Sequence, residues 1–398
     1  MLKFAKNILL TMKMTFSEDL RVPQQIYVGS DALKEAMPAI GKCGRKALVV
    51  TGQHVGHSAM MRLLGELLDE HNVEHVVFDG ITGEPTDDMI AAGVRLYRDA
   101  ACDFCIGIGG GSPLDSAKAI AAMTVCEGSI ADYNGCVIDC EMPKVVAIPT
   151  TAGTGSEVTK FTIVTDTVHG IKMLLKGDVL LPDVAVVDYT LGMTAPKRVT
   201  AATGLDALTH AVESLISVKA TAATDALAVS AVKRIMKHLP VAYADGADAE
   251  AREQMAVAAM EAGVCINNSS VTVVHGMSRP IGALFHVPHG ISNAMLLATC
   301  LEDMEEEARV KFALLARAIG VAAAADGDAA ASARFIGAVK ELCGVCEVPT
   351  LREYGIDEAQ FGASIEKMAT DAIASGSPGN APKTYTAEDC VALYRRAF

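Results

Sequence analysis

Short apolar runs alternate with longer amphipathic segments along the first half of the chain. Runs rich in β-branched residues predict strands, and segments with apolar positions three or four residues apart predict helices. Strands are expected at residues 25–28, 47–50, 73–78, 104–108 and 145–148, and helices at 58–71, 86–99 and 114–124. Strands that alternate with helices in this way indicate a mostly parallel sheet with helices on its faces.

The strand pattern stops near Thr194, and alanine-rich helical segments fill the remainder. Helices are predicted at 204–216, 220–237, 249–267, 292–300, 305–318, 329–343, 357–374 and 387–398. The loop MTAPKR separates the halves, and 398 residues exceed the length of one typical core. We therefore predict an α/β domain at 1–193, with residues 1–15 as an N-terminal extension, and an all-α domain at 194–398.

Composition narrows the possible partners. The formal net charge of −14 argues against nucleic acid, which requires a basic face. No apolar run reaches the roughly 18 residues of a membrane span, and the lysines within residues 1–15 fit a secretory signal poorly. The eleven cysteines are scattered, which predicts a reducing cytoplasm and no disulfide framework.

The helical half contains a group of metal-ligand side chains. Asp206 and His210, in GLDALTH, are four residues apart and should share one helix face. His275 and His289 follow in an apolar context. One carboxylate and three imidazoles suit a divalent cation such as Zn2+ or Fe2+. Structural partners for each side chain remain an alternative at this point.

Two loops carry features of nucleotide binding. Gly109, Gly110, Gly111 and Ser112 lie between a predicted strand and a helix, where backbone N–H groups and the helix dipole favour a pyrophosphate. The run does not satisfy G-x-G-x-x-G, so a tight turn without a ligand is an equal alternative. A second loop, IPTTAGTGSEVT, follows the next strand. Two such loops at neighbouring strand ends favour a nucleotide.

Taken in order, three segments resemble the iron-containing (group III) alcohol dehydrogenase family: GGGSPLDSAK at 109–118, IPTTAGTGSE at 148–157, and the D-x3-H…H-x13-H-G pattern from Asp206 to Gly290. The resemblance covers nearly the whole chain. It implies a dehydroquinate synthase-like fold, with an α/β dinucleotide-binding domain, an all-α domain and a cleft between them. It further implies NAD(P)(H), one divalent metal (Fe2+ or Zn2+, with Mn2+ a further option), interconversion of a small aldehyde and a primary alcohol, and a homodimer or larger homo-oligomer.

The resemblance also assigns individual residues. The implied metal ligands are Asp206, His210, His275 and His289. The implied cofactor-binding residues are Gly109, Gly110, Gly111, Ser112 and Asp115 at the pyrophosphate, Thr150, Thr151 and Thr154 near the ribose and nicotinamide, and Lys172 beside the cofactor. A solvated Lys172 is the alternative. His286 falls outside the family ligand set; we expect it to line the pocket or exchange a proton, with a packed histidine as the alternative.

Three positions depart from the family pattern. Arg279 stands where members often have a histidine that assists proton transfer; a guanidinium stays charged, but it binds anions bidentately. We therefore predict an aldehyde with a sulfonate, phosphonate or carboxylate tail, and a structural salt bridge is the alternative. Gly52 replaces an acidic residue of many NAD-using members, which favours NADP slightly. Glu84 stands where members more often have asparagine.

Two other functions fit the same fold. A lyase of the dehydroquinate synthase kind would share the cofactor and the metal, but it requires a denser set of basic residues around the metal. A non-catalytic assembly subunit would leave the glycine loops without a role, and the complete ligand quartet argues against it.

Overall fold

The computed structural model describes residues 19–398, so the predicted extension at 1–15 lies outside the described residues. Within 19–398, no single helix is both long and apolar enough to cross a membrane; one pair of helices, bent by 103°, meets that criterion only jointly.

The first half forms a six-stranded parallel sheet in the order β1-β8-β5-β4-β2-β3. Strands β4, β5 and β8 are buried along their whole length because helices cover both faces, which explains their continuous apolar sequences. The strands are β1 Gln25–Val28, β2 Lys46–Val50, β3 Glu74–Phe78, β4 Phe104–Gly109, β5 Val145–Pro149 and β8 Val184–Val187.

Four helices accompany this sheet. Ser58 and Thr86 cap two of them by accepting hydrogen bonds from the backbone N–H groups of Met61 and Met89. The helices are α1 Ala32–Ile40, α2 Ala59–Glu70, α3 Asp87–Asp99 and α4 Gly111–Met123. Shorter helical turns lie at Gln53–Gly56, Ile130–Tyr133, Ser156–Val158, Asp178–Leu180 and Tyr189–Gly192.

A hairpin absent from the sequence prediction lies outside the main sheet. Strands β6 Phe161–Asp166 and β7 Ile171–Lys176 pair antiparallel as a separate two-stranded sheet. Alternate β6 residues are buried while their neighbours are only partly covered, so the segment contains no long apolar run. Strand β8 and helix α1, which are 4 and 9 residues long, were also missed.

The second half is helical throughout, apart from its loops. Helix α5 is buried from residue 204 to 216 because α6, α7 and α9 surround it. The helices are α5 Lys197–Ile216, α6 Ala222–Ala244, α7 Ala249–Asn268, α8 Val273–Phe285, α9 His289–Asp303, α10 Glu305–Ala318, α11 Asp328–Val345, α12 Glu358–Ala374 and α13 Ala387–Ala397, with a single turn at Pro378–Asn380. Helix α8 was missed because Gly276 and Pro280 interrupt its pattern. The predicted fold class, a parallel α/β half followed by a helical half, is confirmed.

The two halves touch backbone to backbone at one pair of glycines. Gly155 has φ +64°, and a Cβ there would lie 2.4 Å from the Cα of Gly263 on α7. A Cβ on Gly263 would lie 2.7 Å from the Cα of Gly155. Only glycine satisfies this contact on both sides, so the loop after β5 rests directly on α7.

A buried lysine joins α4 to the segment that leads into the hairpin. The Lys118 ammonium group donates hydrogen bonds of 2.9 Å each to Ser156 Oγ, Thr159 O and Phe161 O. Burial lowers the pKa of Lys118 to about 8, although the Asp115 carboxylate opposes this shift. The Lys118 ammonium group therefore holds α4 to this segment through hydrogen bonds, where apolar contacts would be usual in a core.

One cysteine pair corrects the expectation that the thiols stay unpaired. Cys126 and Cys140 form a disulfide with a Cα–Cα distance of 6.3 Å. The segment between them returns to the sheet side, where the Ile138 N–H donates to Lys176 O at 2.9 Å. This contact supports β7, and it was not visible in the cysteine spacing.

We expect Lys118→Met to lower the free energy of unfolding by about 3 kcal/mol, because three buried acceptors lose their donor. Lys160→Met is the matched control: it removes an ion pair with the half-exposed Asp178 and should cost less than about 1 kcal/mol. Urea denaturation measures both changes, and equal losses in the two variants would contradict the role given to Lys118.

Candidate metal centre and cofactor cleft

Helix α5 presents the first two predicted ligands side by side. Asp206 and His210 are buried, one turn apart, with 3.8 Å between Asp206 Oδ1 and His210 Nε2. The helix is buried on every side at this point, so neither group reaches bulk water. A carboxylate in such a place requires compensating positive charge.

Two more helices bring the other histidines to the same oxygen. His275 Nε2, from α8, lies 3.7 Å from Asp206 Oδ1, and His289 Nε2, from the first turn of α9, lies 3.8 Å from it. These distances are too long for hydrogen bonds, and they exceed by only a few tenths of an ångström the roughly 3.4 Å between tetrahedral ligands that each lie about 2.1 Å from one cation. Asp206, His210 and His275 offer ligand atoms within 4.8 Å of one another, and His289 approaches the same oxygen, so the donor set fits a divalent metal.

Electrostatics agree with that fit. Burial alone would raise the pKa of Asp206, but the three imidazoles and the amide of Asn293 outweigh it and hold the pKa below its usual range. Burial lowers the pKa of His275 well below 6.5 and also lowers that of His289. An ionised carboxylate and neutral imidazoles are the forms that bind metal.

Sequence analysis missed two residues that touch the ligands. The amide Nδ2 of Asn293 donates to Asp206 Oδ1 at 2.7 Å and lies 3.1 Å from His275 Nε2. The Glu213 carboxylate contacts His275 Nδ1. Both had a periodic signal, since Glu213 lies seven residues after Asp206 and Asn293 four after His289, each on the ligand-bearing face of its helix.

Arg279 lies one helical turn beyond His275 and is partly buried. Its Nη1 donates to Ser377 Oγ at 3.0 Å, and among residues 19–398 it forms no ion pair. Burial lowers its pKa, with Glu213 acting in the opposite direction. The predicted alternative, a structural salt bridge, thus finds no carboxylate partner in the described chain.

His286 occupies a different kind of position. It ends α8 in the left-handed conformation, with φ 55°, and its side chain is exposed. Left-handed backbone is uncommon for residues other than glycine, although histidine is among those that adopt it. The structure therefore gives His286 a role in turning the chain toward His289 and provides no contact with the ligands.

The two predicted cofactor loops face each other at the carboxyl ends of paired strands. Gly110 and Thr151 are neighbours, since a Cβ on Gly110 would lie 3.7 Å from Thr151 Oγ1. A Cβ on Gly111 would lie 2.8 Å from Thr154 Cγ2, and the Thr150 N–H donates to Gly109 O at 2.8 Å. Ser112 follows in the first turn of α4, where N–H groups without an intrahelical partner favour an anion.

Asp115 points elsewhere. Its carboxylate accepts hydrogen bonds from Ser156 Oγ at 2.5 Å and from the Ile163 N–H at 2.9 Å. These contacts hold the second loop and the hairpin against α4. Because the Asp115 carboxylate is engaged in these hydrogen bonds, its negative charge is not directed at the predicted pyrophosphate site, where it would repel the anion.

Lys172 lies on β7, and Gly52 follows the end of β2. The hairpin carries Lys172 toward α8, where its Nζ would be 3.5 Å from a Cβ on Gly282. Its Nζ also forms an ion pair with Glu84 at 2.6 Å, so Lys172 is not simply solvated. At the end of β2, a Cβ on Gly52 would lie 2.9 Å from Ile81 O, which leaves little space for an acidic side chain there.

Comparison with known proteins agrees with this geometry. Residues 23–189 match the family described as iron-containing alcohol dehydrogenase, and residues 200–398 match the C-terminal part of the Fe-containing alcohol dehydrogenase family. The chain belongs to the iron-containing alcohol dehydrogenase family. It is therefore an oxidoreductase that acts on alcohols or aldehydes, and the family resemblance inferred from the sequence is confirmed.

Relatives of this dehydrogenase span its full length. A 1,3-propanediol dehydrogenase of Klebsiella pneumoniae is 34% identical over 96% of the chain and 98% of its own length. A crystal structure of a 1,3-propanediol oxidoreductase superimposes with a TM-score of 0.93 at 33% identity, over 96% of this chain and all of the other. A sulfoacetaldehyde reductase from Bifidobacterium kashiwanohense, solved with NAD+, has a TM-score of 0.85 at 27% identity and covers 96% and 98% of the two chains.

Protonation of the neutral ligand histidines should make the stability of the protein depend on pH. The folded pKa of His275 lies below the unfolded value of 6.5, so below pH 6.5 the unfolded chain binds protons that the folded chain does not. Each such histidine should therefore lower the free energy of unfolding of metal-free protein as the pH falls from 6.5 to 5, by up to about 1.4 kcal/mol per pH unit.

Urea denaturation in the presence of a chelator at several pH values measures this slope. His275→Asn should reduce it, whereas His57→Asn, at an exposed position, should leave it unchanged. An equal slope in the wild type and in His275→Asn would contradict the lowered pKa of His275.

Proposed function

We propose that this dehydrogenase interconverts a small aldehyde carrying an anionic tail and the corresponding primary alcohol, with NAD(P)(H) and one divalent metal. The observation that carries the substrate class is Arg279, a partly buried guanidinium one turn from His275 whose hydrogen-bond partner within residues 19–398 is the neutral side chain of Ser377. Removing a cation from water without a carboxylate partner is costly, and an anionic substrate group would supply the missing charge. The named substrate of the Bifidobacterium kashiwanohense relative, sulfoacetaldehyde, carries a sulfonate.

The metal would be Fe2+ or Zn2+, with Mn2+ a further option, because an Asp/His3 set accommodates all three. When bound, the cation supplies Lewis acidity to a carbonyl oxygen, and the nicotinamide supplies the hydride. Asp206, His210, His275 and His289 would hold the cation, and the turn at 109–112 would hold the pyrophosphate. Thr150, Thr151, Thr154 and Lys172 would line the cofactor between these sites.

In this proposal the proton comes from water or from the ribose hydroxyls. Arg279 keeps its charge at working pH, and His286 is exposed at a chain turn. The side chain of His289 is 34% exposed, so the ligand cluster is open to solvent on that side. Arg279 would orient the anionic tail and leave the proton to solvent or to the ribose hydroxyls.

We also propose a cytoplasmic homo-oligomer, at least a dimer, with an α/β cofactor domain at 1–193 and a helical metal domain at 194–398. Its only ligands in this proposal are small molecules, since the net charge of −14 disfavours nucleic acid. No membrane contact is required for the reaction.

Arg279→Ala should separate anionic from neutral substrates. Loss of a charge-assisted contact worth about 3 kcal/mol predicts a roughly 100-fold lower kcat/KM for sulfoacetaldehyde, with less than about a threefold change for propanal. Arg252→Ala is the matched control, because that buried guanidinium binds Thr200 Oγ1 and backbone carbonyls and should affect both substrates equally. Equal losses for the two aldehydes in Arg279→Ala would overturn the proposed substrate class.

Cofactor choice forms a second test. With no carboxylate at Gly52 to repel a 2′-phosphate, we expect kcat/KM with NADPH to equal or exceed that with NADH. Stopped-time absorbance assays with both cofactors and one aldehyde measure this ratio. A preference for NADH greater than about 100-fold would show that another residue rejects the phosphate.

A further inference from the structure

Glu213 is a buried carboxylate on α5 that lies outside the predicted ligand set. It accepts hydrogen bonds from Thr272 Oγ1 at 2.6 Å and from the Val274 N–H at 2.8 Å, and it contacts Nδ1 of His275. We propose that Glu213 is a positioning residue that fixes the tautomer and ring orientation of His275, and thereby sets the metal affinity of the site. This inference rests on the proposed role of His275 as a ligand.

The argument begins with the two nitrogens of the imidazole. His275 Nε2 faces Asp206 Oδ1 at 3.7 Å, so metal binding requires a lone pair on Nε2 and the proton on Nδ1. Glu213 Oε1 already accepts from Thr272 and Val274, and these donors oppose the burial that raises the pKa of Glu213. In the ionised form the other carboxylate oxygen can only accept a hydrogen bond. Ionised Glu213 therefore selects the Nδ1–H tautomer, whereas a neutral amide in its place would allow either one.

The carboxylate is itself held in place. Thr272 and Val274, its other two donors, lie in the segment that begins α8, immediately before His275. One side chain from α5 thus fixes the start of α8 and the ring that α8 carries. Because Asp206 and His210 also lie on α5, Glu213 keeps the ligands of two helices in register.

The other ligands lack an equivalent support. Within the described chain, His210 Nδ1 is buried without a hydrogen-bond partner, and no carboxylate contacts the second ring nitrogen of His289. His275 is therefore the imidazole whose orientation is determined before a metal arrives. Carboxylate partners of this kind change metal affinity 10- to 100-fold when they are removed from other metal sites.

The test uses the full-length protein after metal removal, with Co2+ as the probe. Affinity is measured by competition with a chelator of known strength, and the visible absorption of bound Co2+ reports ligand geometry. Glu213→Gln should weaken Co2+ binding 10- to 100-fold and alter the spectrum. Glu261→Gln is the matched control: its buried carboxylate on α7 binds Ser230 Oγ, so any effect should fall on stability and leave Co2+ affinity unchanged.

His275→Ala separates this inference from the ligand assignment. If His275→Ala loses Co2+ affinity and Glu213→Gln retains both affinity and spectrum, the positioning role is overturned and the ligand role stands. If both variants bind Co2+ like the wild type, both proposals fail. Should Glu213→Gln not fold, Thr272→Val decides: a shifted Co2+ spectrum with an affinity loss below tenfold is expected, and an unchanged spectrum overturns the inference.

Discussion

The structure depends on burying one carboxylate, Asp206, in a helix that has no exposed face. Removing that charge from water is unfavourable unless positive charge or hydrogen-bond donors surround it. The amide of Asn293 donates one such hydrogen bond, and three neutral imidazoles from α5, α8 and α9 converge on the same oxygen. A bound cation would supply the remaining charge. The ligand geometry therefore exists only when these helices are packed together, and the metal and the helical core stabilise each other.

The α/β half is organised around a different buried charge. Lys118 and Asp115, on adjacent turns of α4, bind the segment that runs from the second loop into β6. That segment positions Thr154 opposite Gly111 and directs the hairpin, with Lys172, toward the helical half. The residues that the sequence predicts as cofactor ligands thus divide into two groups. Some lie on the two facing loops, and others, such as Asp115, support those loops from α4.

Regular patterns made part of this architecture predictable. The parallel sheet follows from its apolar runs, and the spacing of Asp206 and His210 placed both on one helix face. Helix α8 was missed because Gly276 and Pro280 lower helix propensity locally, and packing against its neighbours compensates. Contacts distant in sequence, such as Glu213 with His275 or Cys126 with Cys140, depend on how segments meet in space. That Arg279 has no ion-pair partner among residues 19–398 likewise needed three-dimensional information.

The contact between Gly155 and Gly263 sets the distance between the loop that carries predicted cofactor residues and the helical half that carries the predicted metal ligands. Because neither residue has a side chain, the spacing between the loop after β5 and α7 is determined by backbone alone. Reactions between bound groups are sensitive to displacements of about 1 Å. A side chain at either glycine would therefore push the loop after β5 away from α7, whereas side chains of α8 and the hairpin can change without altering this contact.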